Sequence, residues 1–446
     1  MTFKRAFTLF LCAVMAASIF LIPKYLKNNK IDYNQHYKSM EKDIKWRGVI
    51  TIWDYPRLNF NTGSRYGWIR KKIREFEKNN PGVYIDFKEL DWNSGPTLLK
   101  AAEKTGALPD IAPVGSDFYY ISRGVLEELD GYISIEDKND FLENVLETTV
   151  HNGKQYGLPW MMTGYTMLLN TNIFNDRGVA LPEEGSWTYD QFLEAMKQLT
   201  YDNNNKGGPD IFGFNSFIAP GYYNCFGIIL SDGAQIIDKD TGRYCFDYPE
   251  AVSGIKKLWE LKHVHKVTHP EFGAMSESEA WTAFLKGKTA VYTAGSWAVP
   301  YLRTIQGNHD LSFAVANFPA GKAEIPVNIG AQVCSYAVFK QEDEYKRQKC
   351  VEFIKYLTSA DKQGELVDYG YFPVRKSGQN LYINDKEMFL IQQSLKYFET
   401  LPKLYNWDDI DLVLQSRLKA AINNEITIEQ AVQEMKFLAE RYMDER

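Results

Sequence analysis

Strand-like and helix-like segments alternate from residue 48 onward, and this alternation constrains the fold more than any other feature of the sequence. An order of β-α-β-α-β predicts a parallel sheet with helices packed on its faces. The segments that give this order are a strand over Gly48–Trp53, a helix with Trp68, Ile69, Ile73 and Phe76 on one side, a helix stop at Asn79–Gly82, a strand over Val83–Phe87, a helix over Pro96–Thr105 and a strand over Pro109–Val114.

The alternation continues to the C-terminus without an internal repeat or a low-complexity tract. The chain has 446 residues, which is too long for one compact core and predicts two or three domains. The later predicted elements are a strand over Tyr165–Asn170, a helix over Tyr189–Leu199 that Thr188 opens, a helix over Ala251–His263, a strand over Lys288–Tyr292 and helices over Lys346–Leu357 and Asp408–Asn423.

The composition is that of a globular protein with many aromatic side chains. Hydrophobic residues make up 45% and charged residues 24%, as in ordinary soluble domains. Lys and Arg total 51 against 57 Asp and Glu, so the net charge is −6 and nucleic acid is not an expected partner. The 10 Trp, 28 Tyr and 26 Phe fit a large core or a cleft lined with flat rings, and composition alone leaves both interpretations open.

The cysteine and acidic residues give no pattern of a metal or redox site. The five cysteines form no CxxC pair, and no His lies at ligand spacing from any of them. The four cysteines outside the N-terminal run are interpreted as buried thiols, or as including one disulfide. The Asp202–Gly208 loop has one carboxylate followed by amides and the cation of Lys206, which indicates a turn rather than a calcium loop. We therefore expect no metal and no cofactor.

The N-terminus has the pattern of an export signal. Lys4 and Arg5 precede an apolar run over Ala6–Ile22. The run ends without a small-x-small cleavage site, and Cys12 lies too early in it for a lipoprotein signal. We therefore predict a signal or anchor at 1–22 and a polar stalk at 23–47, with the body held at the outer face of the cell membrane.

Eight short motifs of the body occur in an order that resembles the family 1 extracellular solute-binding proteins, the sugar-binding class related to maltose-binding protein. The resemblance covers about residue 48 to the end of the chain, and its strength lies in the joint order of the motifs. In order they are VITIWDY, FEKNNPGVYIDF, ALPDIAPVGSDF, YGLPWMMTGYTMLLNTNIFNDRGV, GSWTYDQFLEAMKQLT, AFLKGKTAVYTAGSWAV, YGYFPVR and IEQAVQEMKFLAERY.

The resemblance implies an α/β fold of the type II periplasmic-binding-protein class, with two discontinuous lobes and a ligand cleft between them. Lobe 1 would contain 48–162 and 317–370, and lobe 2 would contain 163–316 and 371–446. The chain would cross between the lobes near Met161–Thr166, Ala314–Pro319 and Asp368–Pro373. The implied function is to capture a carbohydrate, in particular an oligosaccharide, and to pass it to the permease subunits of an ABC importer.

A sugar-binding site needs flat rings for the apolar sugar faces and fixed polar groups for the hydroxyls. Parallel sheets bind ligands beyond the carboxyl ends of their strands, where Asp54 and Asp117 lie. The resemblance favours Trp297, above all, with Tyr222 and Trp407 as stacking residues of the second lobe; the alternative for each ring is a place in the core. The full set of expected ligand residues is Trp53, Asp54, Asp117, Trp160, Tyr165, Tyr222, Trp297, Asn328, Gln332, Tyr371 and Trp407.

Two other classes of protein compete with this interpretation. A glycoside hydrolase needs two carboxylates at one bond, and Asp54 with Asp117 could supply them. The sequence has no GxSxG elbow, no Walker loop and no HExxH motif, and its 6 His leave little material for a general base. A purely structural cell-surface protein would have no cleft. We therefore predict a binding protein and not an enzyme.

Overall fold

The computed structural model describes residues 46–306, 311–329 and 333–444. The predicted anchor at 1–22 and all but the last two residues of the predicted stalk lie outside these ranges, as does Gln332. Across the described residues, no helix combines the length and the apolar character that a membrane crossing needs.

The secondary structure consists of strands and helices in mixed order. The strands are β1 Gly48–Asp54, β2 Val83–Glu89, β3 Ile111–Ala112, β4 Val150–His151, β5 Lys154–Gln155, β6 Leu158–Met162, β7 Tyr165–Asn170, β8 Phe212–Asn215, β9 Thr289–Gly295, β10 Phe313–Ala316, β11 Asn328–Ile329, β12 Val333–Val338 and β13 Phe398–Glu399. The α-helices are α1 Gly67–Asn79, α2 Gly95–Thr105, α3 Phe118–Ser122, α4 Ile135–Asp140, α5 Glu143–Glu147, α6 Thr171–Asp176, α7 Tyr189–Gln198, α8 Phe226–Ile229, α9 Pro249–His263, α10 Glu277–Leu285, α11 Ala298–Ile305, α12 Glu344–Leu357, α13 Lys386–Ser394, α14 Trp407–Ile422 and α15 Ile428–Asp444.

The first half of the molecule is built on a five-stranded sheet with the order β2-β1-β3-β12-β6. Strand β1 runs parallel to β2 and β3, which confirms the predicted strand and helix alternation at the start of the body. Helix α1 buries Trp68 and Phe76 in the same core as Ile50 of β1. The helix ends before Pro81, because the residue preceding a proline is disfavoured in the helical conformation.

The second half is built on a four-stranded sheet with the order β10-β7-β9-β8. Strand β7 is antiparallel to β10 and β9, whereas β8 is parallel to β9. Helix α7 begins with a capping box between Thr188 and Gln191, which confirms the predicted helix start. Helix α7 can approach β8 closely because residue 213 is a glycine, where an added Cβ would lie 2.3 Å from the carbonyl oxygen of Met196.

The chain passes between the two sheets more than once. It leaves the first sheet after β6, returns between β10 and β12, and leaves again after α12 to form α14 and α15, which pack on each other and on α9. The molecule therefore has two discontinuous α/β lobes, as predicted. We call the half that contains the five-stranded sheet the first lobe and the half that contains the four-stranded sheet the second lobe.

The family resemblance predicts that the segment after residue 370 belongs to the second lobe. The beginning of this segment nevertheless contacts the first lobe. The backbone N–H of Phe372 donates to the carbonyl of Met162 at 2.8 Å. Arg375 is 2% exposed and forms ion pairs with Asp137 at 2.7 Å and Asp140 at 3.3 Å. Since a buried guanidinium requires acceptors, these carboxylates hold the segment against the first lobe. Farther along the chain, α13 packs on β10 of the second lobe.

Candidate functional site

A cavity of about 310 Å³ lies beyond the carboxyl ends of β1 and β3, which is where open α/β sheets bind their ligands. Its first-lobe wall includes residues 55, 57, 113, 116–119 and 333–334, and residues from 400 to 408 of the second lobe supply most of the other wall. We call residues 400–408 the closing segment. The volume is at the lower end of the range for small-molecule sites.

Aromatic rings form much of the cavity wall. Tyr55 and Trp92 stack with centroids 4.4 Å apart and planes 10° from parallel. Tyr119 of the first lobe stacks on Tyr405 of the closing segment at 5.2 Å. Trp92 is 57% exposed, so its ring is accessible to a ligand. Flat rings of this kind can cover an apolar molecular face.

Asp117 is the acidic group at the end of β3. It caps the short helix α3 by accepting a hydrogen bond from the backbone N–H of Tyr119 at 2.9 Å. Burial raises the pKa of Asp117 to about 6, and the nearby negative charge of Asp408 adds to the effect. The carboxylate therefore has free hydrogen-bonding capacity in a cavity that penalises its charge.

Asp54, at the end of β1, does not line the cavity but holds a residue that does. Its carboxylate is fully buried and accepts hydrogen bonds from Arg57 Nη1 at 2.8 Å, the Tyr336 hydroxyl at 2.7 Å and the backbone N–H of Tyr55 at 2.8 Å. The Arg57 guanidinium lies 4.6 Å from the ring centroid of Trp160. Arg57 therefore lines the cavity, and Asp54 lies behind Arg57 and holds it in place.

Tyr222 and Trp297 belong to the second lobe and are partly exposed. Tyr222 is 37% exposed, and burial together with the charge of Glu277 raises the pKa of its phenol to about 12. Trp297 precedes α11 and packs edge-on against Trp281, with centroids 5.6 Å apart. Neither residue lines the 310 Å³ cavity.

A hydrogen-bond network connects the loop between β8 and α8, here called the Tyr222 loop, to the start of α14. Trp407 Nε1 donates to the Tyr223 hydroxyl at 3.0 Å, and the Tyr165 hydroxyl accepts from the Tyr223 backbone N–H at 3.2 Å. Asp411 accepts from the Gly221 backbone N–H at 2.6 Å. Burial raises the pKa of Asp411 to about 6. The position of the Tyr222 loop is therefore coupled to that of the closing segment.

The closing segment reaches the first lobe through partly exposed polar contacts. Lys100 pairs with Asp408 at 2.6 Å, with side chains 30% and 62% exposed. Lys403 pairs with Glu147 at 2.9 Å. Arg123 Nη1 donates to the Tyr405 hydroxyl at 3.2 Å. Exposed ion pairs of this kind are weak individually, so each holds the segment less firmly than a buried pair would.

The structure distributes the residues expected from the sequence over several environments. Asp117 and Trp407 line the cavity, and Asp54 lies directly behind it. Asp54, Trp160 and Asn328 are fully buried, and Tyr165 is 9% exposed. Trp53 is partly buried below Lys88, whose Nζ lies 3.8 Å from the Trp53 ring centroid, and Tyr371 lies beside Trp160. Gln332 is outside the described residues.

Several cavity residues were not expected from the sequence, among them Arg57, Trp92, Tyr405 and Asp408. Arg57 had a usable signal, because it follows Asp54 at a strand end by only three residues. The closing segment had none, since its position depends on contacts with residues about 250 to 310 positions earlier in the chain.

The described cysteines form no disulfide among themselves, and the Asp202 loop is a turn. Cys225, Cys245, Cys334 and Cys350 are free thiols. The Asp202 carboxylate accepts backbone hydrogen bonds from Gly207 at 2.8 Å and Gly208 at 3.2 Å, so it closes the loop as a turn. Among residues 46–306, 311–329 and 333–444, no group of three His, Cys, Asp or Glu side chains could hold a metal ion.

Two α/β lobes with a cavity at their junction are the architecture expected of a solute-binding protein. The family described as bacterial extracellular solute-binding protein matches residues 71–389, which is more than half of the chain. The chain belongs to this family, which confirms the resemblance seen in the sequence. Its members are binding proteins, so the glycoside hydrolase alternative has no support.

Several known proteins are similar to this chain at low identity. A putative binding protein of Brucella abortus is 23% identical over 81% of this chain and 84% of its own. The maltotriose-binding protein of Pyrococcus abyssi is 22% identical over 80% of this chain and 73% of its own. The structure resembles an ABC substrate-binding protein of Listeria monocytogenes in complex with cycloalternan, with a TM-score of 0.74, 19% identity and coverage of 89% and 99% of the two chains. These similarities support the two-lobe fold.

Proposed function

We propose that this protein captures a carbohydrate between its two lobes, outside the cytoplasm, and delivers it to the permease subunits of an ABC importer. The observation that carries the proposal is the cavity at the ends of β1 and β3, where stacked rings and the Asp117 carboxylate line one space. Rings can cover the apolar faces of a sugar, and the carboxylate can accept hydrogen bonds from its hydroxyls. The similar maltotriose-binding protein supports the carbohydrate assignment.

Direct ligand contact is proposed for residues from both lobes. Asp117 and Trp407 line the cavity from opposite lobes. Tyr222 and Trp297 are partly exposed on the second lobe, and we propose that they extend the site when a longer glycan occupies the cleft. A site of this kind would bind part of the glycan in the cavity and stack further units outside it.

The N-terminal sequence supports a membrane tether. Lys4 and Arg5 precede the apolar run of Ala6–Ile22, and a polar stretch follows it. We propose that 1–22 hold the protein at the outer face of the cell membrane and that 23–47 form a stalk. Mass spectrometry of the native protein tests this, because a mature N-terminus within residues 18–48 or a lipid on Cys12 would contradict it.

Binding measurements on the purified full-length chain test the main proposal. We expect isothermal titration calorimetry to show saturable binding of maltotriose or of another member of a glycan panel. The same glycan should raise the melting temperature in thermal unfolding, and product analysis should show that it is not cleaved. A hydrolase would release product from the same glycan. Failure to bind any glycan of the panel, with binding of an amino acid or peptide instead, would contradict the carbohydrate assignment.

A further inference from the structure

Arg57 is a buried cation in the wall of the ligand cavity. Its side chain lines the cavity, yet the residue is only 4% exposed. A charged group is costly to bury unless it is paired, and here Asp54 is the partner at 2.8 Å. Apolar residues of similar size often stabilise a protein as well as a buried ion pair does. Stability alone therefore does not account for an arginine at this position.

The guanidinium keeps hydrogen-bonding capacity after its protein contacts are made. Nη1 donates to Asp54 at 2.8 Å and to the carbonyl of Tyr55 at 3.1 Å, and Nη2 donates to Cys334 Sγ at 3.4 Å. Nε has no acceptor within the described part of the chain. Since a guanidinium has five N–H donors, Nε and one N–H of Nη2 lack a protein acceptor. Nε is itself shielded from solvent, so the remaining N–H of Nη2 is the donor left for a ligand.

The remaining charges of the cavity are unfavourable for an anionic ligand. Asp54 balances Arg57, Glu147 balances Lys403 and Lys100 balances Asp408. Asp117 lines the same cavity, and within the described residues no ion pair with a cation is found for it. The unbalanced charge is therefore negative. A carboxylated sugar would meet this charge without finding a cation that lacks a partner.

We propose that Arg57 is a ligand-binding residue that donates hydrogen bonds to oxygen atoms of an uncharged carbohydrate, and that Asp54 positions it. This inference rests on the proposed function and names the class of glycan that the site takes. The Asp54 carboxylate fixes the planar donor group through Nη1, and the ring of Trp160 lies beside it at 4.6 Å. The ligand thus meets a hydrogen-bond donor that is fixed in position and largely shielded from solvent. Because the cation is already paired with Asp54, an acidic glycan gains no advantage from it.

The first test is Arg57→Lys, which retains the charge for Asp54 but loses the planar set of donors. We expect the affinity for maltotriose, or for the tightest neutral glycan of the panel, to fall roughly 10- to 100-fold. Arg70→Lys is the matched control, because Arg70 is exposed, pairs with Glu89 and does not line the cavity. Calorimetry gives the affinities, and circular dichroism verifies folding.

Singly deoxygenated analogues of the same glycan separate ligand contact from a structural role. One analogue should lose affinity for the wild type but bind Arg57→Lys as well as the parent glycan does, because the lost hydroxyl is the partner of Arg57. A purely structural role would lower the affinity for all analogues by one factor. Wild-type affinity in Arg57→Lys, or a uniform loss across the analogues, would overturn the assignment.

A second variant tests the charge class of the ligand. Asp54→Asn removes the counter-charge and leaves Arg57 with a net positive charge, so the preference should shift at least tenfold towards an acidic glycan such as a galacturonate trimer. Wild-type protein that binds this acidic trimer as tightly as its neutral ligand would overturn the charge class. Wild-type protein that binds no glycan at all would instead overturn the proposed function.

Discussion

The two walls of the cavity are held in place by different kinds of contact. The first-lobe wall rests on the Asp54–Arg57 pair, in which both side chains are at most 3% exposed, and on the Tyr336 hydroxyl bond to Asp54. The closing segment is joined to that lobe by Lys100–Asp408 and Lys403–Glu147, whose side chains are 30% to 64% exposed. Buried paired charges fix a geometry, whereas exposed pairs form and break with little change in free energy. The first wall is therefore held more firmly than the second.

The largest expected effect is the loss of stability when the buried pair is broken. Arg57→Ala leaves the fully buried Asp54 carboxylate without its cation, and we expect the free energy of unfolding to fall by about 3–5 kcal/mol. Denaturant unfolding followed by circular dichroism measures the change. Arg70→Ala, which removes an exposed pair with Glu89, should cost less than about 1 kcal/mol. Equal costs would show that burial does not make the Asp54–Arg57 pair more important for stability than an exposed pair.

The loss of the Trp297 ring examines the second lobe. We expect Trp297→Ala to weaken glycan binding by roughly 10- to 100-fold, because a stacking ring is worth a few kcal/mol and each ~1.4 kcal/mol is tenfold. Trp259→Ala is the matched control, since Trp259 lies on α9 and donates to Asn424 away from the cavity. Calorimetry decides, with circular dichroism as the folding control. Wild-type affinity would place the ligand within the described cavity alone, and an unfolded Trp297→Ala would favour a core role for the ring.

The Asp117 carboxyl links stability to pH. Its pKa of about 6 in the folded protein lies above the ordinary value of 3.8 for an aspartate. The stability that the protonated carboxyl allows is therefore fully present below about pH 4 and is lost as pH rises through about 6. At ~1.4 kcal/mol per pKa unit the ceiling is about 3 kcal/mol. Because the side chain is partly exposed to solvent, we expect Asp117→Asn to stabilise the protein by about 1–2 kcal/mol at pH 7.5 and by almost nothing at pH 4.

Melting temperatures of Asp117→Asn and the wild type at the two pH values measure this difference. A gain that is the same at pH 4 and pH 7.5 would show that the titration of Asp117 is not its cause. The same variant should bind glycans more weakly at pH 7.5, because an amide accepts hydrogen bonds less strongly than a carboxylate does.

The smallest expected effect concerns the exposed contacts of the closing segment. Lys100→Ala removes the pair with Asp408 and should weaken glycan binding by no more than about fivefold, since exposed pairs contribute up to about 1 kcal/mol. High salt should weaken binding by the wild type, and it should weaken binding by the variant less, because the variant retains only the exposed Lys403–Glu147 pair. Lys256→Ala, which removes an exposed pair with Glu260 on α9, is the control. A loss of a hundredfold would show that the second wall is as firmly fixed as the first.

The local elements of the fold could be predicted because their signals lie within one segment. The predicted helix at Ala251–His263 is observed as Pro249–His263, and the predicted strand at Lys288–Tyr292 is observed as Thr289–Gly295. Strand β12 is different, because it inserts between β3 and β6 in the antiparallel sense. It reaches this position from more than 170 residues later in the chain than β6, and no periodicity records such a pairing.

The candidate site was predictable only where position in the sequence determines position in the fold. Asp117 was found because the end of a strand in a parallel sheet points to the ligand edge. Trp160 shows the limit of aromatic residues as a signal, since its flanking position suggested a ligand contact and the structure buries it completely beside Arg57. The pattern of a single sequence does not distinguish a ring that covers a ligand from one that fills a core.

The last residues of the closing segment are also the first residues of α14. One end of this helix therefore forms part of the cavity wall. The helix has 16 residues and is therefore about 24 Å long. A tilt of about 10° at Trp407 would move its far end by about 4 Å if the helix stays straight. That far end packs with α15 and α9, away from the ligand. If a ligand in the cavity tilts α14, this small change of angle becomes a larger displacement at the outer surface of the second lobe.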